Sequence, residues 1–411
     1  MRDELRRRLG TTDAVVVGLG AMLGAGIFAG LAPAAAAAGS ALLVALGVAA
    51  VVAVCNALST ARLAARHPQS GGTYVYGRER LGPLWGLAAG WAFVVGKTAS
   101  CAAMGITVGH HLWPAHPQAG GVLAVLALAS LSLAGVERSA RVSRWLVAIV
   151  LVVLAAVVLA AWLGSGERRA PAIASDLDAR GTLEAAGLLF FAFAGYARIA
   201  TLGEEVRDPE RTIVRAVPIA LGAVLAVYLL VAASALAVLG ASGLAASPAP
   251  LVSVVDAAGA PGLEPVVRAG AAAGALGALL ALLLGVSRTT LAMARDGHLP
   301  RALATVHEAT GVPRHAELTI AAIVVLLVAT VDLRGAIGFS SFGVLAYYAI
   351  ANASAWRLRP DEGRLPRAIP AVGLVGCVVL ALALPTSSVL AGAGVIAVGL
   401  LVLGPRARTR G

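Results

Sequence analysis

The fold is decided by Gly24-Ala25-Gly26-Ile27-Phe28, where two glycines interrupt a long apolar run. A second apolar run is interrupted in the same way at Phe193-Ala194-Gly195-Tyr196-Ala197-Arg198. Irregular backbone at membrane depth is tolerated only where it lines a cavity or is buried in protein, because an unpaired N–H or C=O group is costly in hydrocarbon. Freed N–H groups attract anions and freed carbonyls attract cations. The two breaks therefore predict a cavity suited to a zwitterion such as an amino acid.

The composition is that of a polytopic membrane protein. Of the 411 residues, 59% are hydrophobic and 13% are charged, and the mean hydropathy is +0.88. We place twelve apolar windows of about 20 residues, with eleven as an alternative because two windows are short. The windows are 14–38, 40–64, 84–109, 120–136, 145–164, 183–203, 213–240, 266–290, 317–332, 335–356, 369–384 and 386–404.

The order of the spans predicts an inverted repeat within a single polytopic domain, 1–411. The first repeat covers five spans in 14–164 and the second covers five spans in 183–357. Because five is odd, the second repeat enters the membrane upside down, as in many secondary transporters, which place their substrate site at the broken helices. The two helices of 368–404 are additions outside the repeat.

The basic residues predict the orientation. If both termini and every second loop are cytoplasmic, those segments hold 25 of the 32 Lys and Arg residues. Such a bias places both termini in the cytoplasm of a multi-pass protein of the bacterial inner membrane. The arginines are spread over seven short loops, so the net charge of +11 does not indicate nucleic acid as a partner. The partners expected are the bilayer and a small molecule, and the oligomeric state stays open.

Five motifs in the same order make the chain resemble the amino acid permeases of the amino acid-polyamine-organocation (APC) superfamily. The resemblance extends from the first span through the loop after the eighth. The motifs are Gly20-Ala21-Met22-Leu23-Gly24-Ala25-Gly26-Ile27-Phe28, Pro68-Gln69-Ser70-Gly71-Gly72-Thr73-Tyr74-Val75-Tyr76 with Leu81-Gly82 and Gly90-Trp91, Phe190-Phe191-Ala192-Phe193-Ala194-Gly195-Tyr196, Glu204-Glu205-Val206-Arg207-Asp208-Pro209, and Ala294-Arg295-Asp296-Gly297-His298-Leu299-Pro300.

The resemblance implies ten core helices in a five-plus-five inverted repeat, the LeuT-like fold, with helices 1 and 6 unwound at the centre. It also implies that the two breaks bind the amino acid. One departure is that relatives often carry an acidic residue after the glycine-aromatic pair of span 6, where Ala197 and then Arg198 follow here. The substrate-binding positions carried over are Gly24, Ala25, Gly26 and Ile27, with Phe193, Ala194, Gly195 and Tyr196.

Two cations fall inside spans. Lys97 is the only lysine in the chain, and a charge at membrane depth is costly and usually functional. Lysine can lose its proton when desolvated, which suits proton coupling; attraction of a substrate anion and bracing of a helix are the alternatives. Arg198 stays charged, and it either binds a substrate carboxylate or braces the first break. Because no obvious carboxylate lies near these cations, a neutral or anionic substrate is favoured.

The end of span 6 holds Glu204 and Glu205, where the helix dipole disfavours anions. They need cationic partners, and Arg62, Arg66, Arg288 and Arg295 are on the same side of the membrane. The alternatives are a breakable cytoplasmic gate and simple structural pairing.

These features predict a secondary active transporter for amino acids that works by alternating access, with proton coupling. An exchanger, or antiporter, is the alternative mechanism, and a sensor built on a transporter scaffold is a remote one. No P-loop of the G-x-x-x-x-G-K-[ST] form and no clustered catalytic groups occur, so we expect no enzyme activity and no cofactor beyond the proton motive force. Cys55, Cys101 and Cys377 lack paired spacing, so no metal site is expected.

Overall fold

The chain is almost entirely helical. A computed structural model describes residues 10–24, 26–67, 71–134, 140–166, 178–200, 206, 208–307 and 310–408. The α-helices within these residues are α1 Thr11–Met22, α2 Gly26–Ala29, α3 Leu31–Ala38, α4 Leu42–Arg66, α5 Thr73–Leu81, α6 Pro83–Leu112, α7 Pro117–Leu133, α8 Ala140–Leu163, α9 Ala179–Phe193, α10 Ala197–Ala200, α11 Pro209–Ala246, α12 Pro250–Ala257, α13 Glu264–Arg295, α14 Arg314–Thr330, α15 Leu333–Trp356, α16 Ala368–Ala383 and α17 Thr386–Arg408.

The helices form a membrane-spanning bundle. Among the described residues, nine helical segments are long and apolar enough to cross a bilayer, and α7 and α16 are shorter apolar helices. The 17-residue α14 occupies the window at 317–332, so every sequence window coincides with a helix. Large apolar side chains are exposed on the bundle, including Trp145, Leu163 and Leu401 at 68%, 78% and 76%. Apolar residues at such exposure suit contact with lipid.

The first span consists of two half-helices. Helix α1 ends at Met22, and α2 begins at Gly26. Beyond the break the helix is continuous through α3, because the N–H of Gly30 donates to the Gly26 carbonyl at 2.9 Å and that of Ala34 donates to the Gly30 carbonyl at 3.2 Å. The interruption predicted from the two glycines is confirmed.

The sixth span is also broken, but by a short 3-10 turn. Helix α9 ends at Phe193, a 3-10 turn covers Ala194–Tyr196, and α10 begins at Ala197. A 3-10 turn within a helix redirects the chain and changes which carbonyls lack an intrahelical partner. The second break thus lies where the sequence places it, and over 194–196 it is a tightened turn rather than an unwound segment.

The packing of the helices matches the inverted repeat. Helix α4 packs against α11, α6 against α13 and α7 against α14, which pairs the second, third and fourth spans of the two repeats. In addition, α1 packs against α11 while α9 packs against α4. A two-fold relation duplicates each contact between non-equivalent elements, and it can bring an element against its own counterpart. The bundle is therefore a five-plus-five arrangement, and the limits 14–164 and 183–357 stay predictions.

The two added helices pack beside the repeats. Helix α16 lies against α4, α9 and α15, and α17 lies against α6 and α15. A buried polar cluster joins α15, α4 and α16. The Asn352 amide donates to the Asn56 side-chain oxygen at 2.6 Å, and the Asn56 amide donates to the Cys377 sulfur at 3.2 Å. Such hydrogen bonds hold membrane helices in a fixed register. The extent of the addition, 368–404, remains a prediction.

Candidate functional site

The two breaks lie against each other. A Cβ atom added at Gly26 would lie 2.5 Å from the Ala192 Cα, and one added at Gly195 would overlap the Ala21 carbonyl. Real Cβ atoms do not approach backbone this closely. Glycine is therefore required at both positions, and it lets the first and sixth spans meet at their interruptions.

The Tyr228 hydroxyl of α11 lies between the two breaks. It is 2.6 Å from the Met22 carbonyl, at the end of α1, and 3.1 Å from the Ala192 carbonyl of α9. Its ring meets Phe193 edge to face at 5.2 Å between centroids. Tyr228 thus supplies a hydrogen-bond donor to carbonyls that the interruptions leave without a full set of partners.

We expect Tyr228→Phe to destabilise the fold and slow transport, because the two carbonyls lose their donor. An unsatisfied buried polar group costs about 1–3 kcal/mol. The melting temperature in detergent and the initial rate of amino acid uptake measure the two effects.

Tyr76→Phe is a matched control for this variant, since the Tyr76 hydroxyl is equally buried and has no hydrogen-bond partner among the described residues. Its loss should leave both readings near those of the unmodified protein. Equal effects of the two substitutions would show that Tyr228 does not support the breaks through its hydroxyl.

The second break is held by two further donors. The Lys97 Nζ donates to the Ala194 carbonyl at 3.3 Å, and the Tyr348 hydroxyl donates to the same oxygen at 3.4 Å. Lys97 is 6% exposed and lies midway along α6. The structure therefore brings the lone lysine to the backbone of the sixth-span break, where a partly freed carbonyl accepts its charge-assisted hydrogen bond.

The aromatic residues of the sixth span pack into the bundle. The ring of Tyr196 stacks on Tyr348 at 5.0 Å, and Phe193 contacts Tyr228 as described above. The side chains of Tyr196 and Phe193 are fully buried, and the side chain of Ile27, beside the first break, is 2% exposed. In the conformation observed, these buried rings pack against one another beside the Ala194 carbonyl.

Three of the residues singled out from the sequence lie outside the described residues: Ala25, Glu204 and Glu205. Arg198 is half-buried in α10, which directly follows the 3-10 turn. Among the described residues, no group of three His, Cys, Asp or Glu side chains is arranged to hold a metal ion.

The space beside the first break is small. A cavity of about 10 Å³ lies between α1, α8 and α13. This is room for no more than about one water molecule, so the bundle is closed at this point beside the break. The cavity is lined by Gly20, Leu23, Gly24, Leu146, Val147, Val150 and Gly274.

An ion cluster clamps one end of the bundle, which we call the N-terminal face and define as the side where α1 begins and α4 ends. Glu362 accepts from both terminal nitrogens of Arg80, at 2.7 and 2.9 Å, and Arg66 lies 3.6 Å away. The Arg80 hydrogen bonds, with the Arg359 backbone N–H, hold the pKa of Glu362 down to about 2. Arg80 also donates to the His67 Nε2 at 3.1 Å. Arg66, expected from the sequence to be available to the sixth-span glutamates, thus pairs with Glu362.

A second contact on the N-terminal face joins α5 to the end of α13. The Tyr74 hydroxyl donates to the Asp296 carboxylate and lies 3.1 Å from the His298 Nδ1. Arg78 reaches the same carboxylate at 3.5 Å. Helix α5, in the first repeat, therefore contacts the end of α13 in the second repeat. A relative movement of the two repeats must either carry α5 along or break these contacts.

We expect acid to weaken the clamp through His67 before Glu362. Burial and the neighbouring Arg80 lower the pKa of His67 below its ordinary value of 6.5, so the fold favours the neutral ring and loses stability as pH falls below 6.5. Glu362 contributes stability above its ordinary value of 4.5, which is lost only as pH falls towards 2. His67→Gln should remove a few degrees of the fall in melting temperature between about pH 7 and pH 5.

Glu362→Gln is the contrasting variant for the clamp. It should lower the melting temperature throughout that range and keep the fall between pH 7 and pH 5, because His67 remains and loses the nearby carboxylate that raises its pKa. A slope unchanged in His67→Gln would contradict the assignment to His67.

Glu317 is a buried group that the sequence analysis missed. It lies in the first turn of α14 and is 0% exposed, and the sequence analysis did not single it out. The available signal is that Glu317 is the only acidic residue in α14. Tyr228 could have been recognised similarly, as the only aromatic residue of α11.

Comparison with known proteins bears on the family. The model of the family described as "Amino acid permease" matches residues 9–401. The chain belongs to this family. An uncharacterized transporter of Mycobacterium tuberculosis (strain ATCC 25618 / H37Rv) is 65% identical over 406 residues, covering 98% of this chain and 92% of the relative. The amino acid permease family and the fold inferred from the motifs are both confirmed.

More distant relatives have names that state a substrate. The branched-chain amino acid permease BcaP of Bacillus subtilis (strain 168) is 27% identical, covering 92% of this chain and 88% of the relative. The human cationic amino acid transporter 4 is 29% identical, covering 89% of this chain and 62% of the relative. Membership of the permease family makes amino acid transport the function class of this multi-span membrane protein.

Proposed function

We propose that this protein is a proton-coupled secondary transporter for amino acids with an uncharged side chain, working by alternating access in the bacterial cytoplasmic membrane. The observation that carries the proposal is the meeting of two helix breaks, where carbonyls of Met22, Ala192 and Ala194 converge on side-chain donors. Polar backbone groups at this depth are costly unless they line a cavity or are buried in protein.

The breaks offer complementary groups to an amino acid. The first turn beyond the break in span 1 begins at Gly26, and N–H groups at a helix start favour a carboxylate. The carbonyls now held by Tyr228, Lys97 and Tyr348 are suitable acceptors for an ammonium group. In this proposal the substrate replaces these donors when it binds, and the donors return when it leaves. The proposed site therefore comprises Gly24 to Ile27 and Phe193 to Tyr196, with Lys97 and Arg198 at its edge.

Charge favours an uncharged substrate side chain. Lys97 is a buried cation at the second break, and Arg198 is half-buried nearby in sequence. The buried carboxylate, Glu317, belongs to α14 and not to either broken helix. A cationic side chain would add a further positive charge in a region of low dielectric, where like charges repel strongly. The similarity to a branched-chain amino acid permease agrees with this preference, which extends to anionic substrates as second choice.

The orientation follows from the basic residues. With the N-terminal face in the cytoplasm, 25 of the 32 Lys and Arg residues lie in cytoplasmic segments. Both termini are then cytoplasmic, and the clamp of Arg80 and Glu362 lies on the cytoplasmic side. Gating by Glu204 and Glu205 would operate at the same side.

Purified protein in liposomes tests the substrate class. Labelled L-leucine, L-glutamate and L-arginine are offered separately, with an alkaline interior and unlabelled competitors. We expect saturable leucine uptake that valine inhibits and that arginine and putrescine do not. Saturable arginine uptake without competition from neutral or acidic amino acids would contradict the proposal.

The same liposomes separate symport from exchange. A symporter fills empty vesicles when a pH gradient is imposed, whereas an exchanger requires an amino acid inside. We expect uptake into empty vesicles. Uptake that occurs only into preloaded vesicles would assign the exchange mechanism instead.

A further inference from the structure

Glu317 combines a carboxyl group with complete burial. Its side chain is 0% exposed. Among the Asp, Glu, Lys and Arg residues that the structure describes, Glu317 and Lys97 are the two that are buried. It lies in the first turn of α14, at the N-terminal face of the bundle. Neither the helix breaks nor the clamp uses it.

The carboxyl oxygens of Glu317 have no hydrogen-bond donor in bonding geometry within 3.5 Å and no cationic nitrogen within 4.0 Å among the described residues. Three other glutamates are paired, Glu184 with Arg334, Glu264 with Arg268, and Glu362 with Arg80. Glu317 therefore differs from these residues in being both more buried and unpaired.

The surroundings of Glu317 are known from each helix that packs on α14. Helix α7 carries no charged residue and provides the Ser132 hydroxyl, and α13 provides the exposed Arg288, which acts on the carboxylate from a distance. The packed elements carry further charged or titratable groups, which are Glu264, Arg268 and Arg295 of α13, Arg301 of the adjoining 3-10 turn, and Lys97, Cys101, His110 and His111 of α6.

Physical chemistry assigns the protonated form to this carboxyl. Burying an ionised carboxylate without a hydrogen bond or an ion pair costs several kcal/mol, and such a group is neutralised instead. The neutral acid needs only one acceptor and one donor, and Ser132 is near enough to act on it. When water enters between α7, α13 and α14, it hydrates the ionised carboxylate, and Arg288 stabilises the negative charge.

We propose that Glu317 is a proton-binding site of the transport cycle, carrying a proton in the closed conformation and releasing it to water at the N-terminal face. This inference rests on the proposed proton-coupled transport. In the released state the carboxylic acid has given its proton to water and remains as a carboxylate beside Arg288. The site is separate from Lys97, which lies at the second break, so the bundle holds a proton-binding group away from the proposed substrate site in addition to Lys97 beside it.

The proton itself can be detected without measuring transport. Infrared difference spectra of the purified protein should contain a C=O stretching band of a protonated carboxyl that disappears in E317Q. The band should persist in E264Q, which removes a carboxylate paired with Arg268. A band that is absent from the unmodified protein, or unchanged in E317Q, would overturn the proposal.

A second measurement uses the unmodified protein and does not depend on how the variant folds. Hydrophobic carbodiimides react with protonated carboxylic acids, so dicyclohexylcarbodiimide should modify Glu317 and the modification should decline as pH rises. Mass spectrometry of the peptide containing Glu317 detects the product. Absence of labelling at Glu317, with labelling elsewhere in the chain, would contradict the protonated state.

Transport by E317Q tests the role in coupling. Glutamine keeps the shape of the protonated acid and carries no exchangeable proton, so leucine counterflow should remain within about twofold of the unmodified protein while accumulation driven by a pH gradient is lost. Equal accumulation by E317Q would overturn the role in coupling. If the unmodified protein moved no amino acid at all, the proposed function would fail, whereas the infrared band would still report on the proton.

Discussion

Gly26→Val is expected to abolish amino acid uptake almost completely. The valine Cβ would lie 2.5 Å from the Ala192 Cα and 2.7 Å from the Ala192 Cβ. The crowding is therefore against the backbone and its attached Cβ rather than against the end of a flexible side chain. Relief requires the first and sixth spans to separate at their breaks. Overpacking of this kind costs about 1–3 kcal/mol, and the displaced carbonyls of Ala192 and Met22 would leave Tyr228. Uptake of labelled leucine into liposomes measures the loss.

Gly47→Val is the matched control for this substitution. Gly47 lies in α4, and a Cβ atom there has nothing within 4 Å. The same added side chain should therefore leave uptake close to that of the unmodified protein. If Gly26→Val transported leucine normally, the contact between the breaks would not be required for transport.

Lys97→Met is expected to lower uptake by about tenfold or more and to remove its dependence on the pH gradient. The substitution keeps an unbranched chain of similar length but deletes the donor to the Ala194 carbonyl. Losing a hydrogen bond from a charged group costs about 1.5–3 kcal/mol, which corresponds to a factor of about ten or more in rate. Initial rates with and without an imposed pH gradient measure both effects.

Two variants show whether the effect belongs to the Lys97 amine. Thr98→Ala removes the neighbouring hydroxyl, which bonds only to its own helix at Val94, and should have little effect. Lys97→Arg keeps a positive charge that cannot be released, and should retain substrate binding while losing the response to pH. A Lys97→Met variant with normal pH-dependent uptake would exclude Lys97 from coupling.

The positions of the breaks could be predicted because they depend on local sequence. Glycine in an apolar run is a weak helix former, and one span in each half of the chain is interrupted by glycine, at Gly24 and Gly26 and at Gly195. The number and order of the spans were equally accessible, since hydropathy determines which segments enter the bilayer. These features required no knowledge of which helices pack together.

The form of the second break and its donors could not be predicted in the same way. The segment 194–196 forms a 3-10 turn whose Ala194 carbonyl accepts from Lys97 and Tyr348, and both donors come from helices distant in sequence. Tyr228 resembles any isolated aromatic residue in an apolar span until α11 is placed beside both breaks. Glu317 lies at the edge of its window, where a carboxylate normally faces water, and only the packing of α7 and α13 shows that it is buried.

The most direct test records proton and amino acid movement together. Liposomes that contain the purified protein and a pH-sensitive dye receive labelled leucine without an imposed pH gradient. We predict that leucine entry acidifies the interior in parallel with uptake, and that Gly26→Val shows neither signal. Leucine entry without acidification would contradict proton coupling, and the absence of entry for leucine, glutamate and arginine alike would contradict transport through the broken helices.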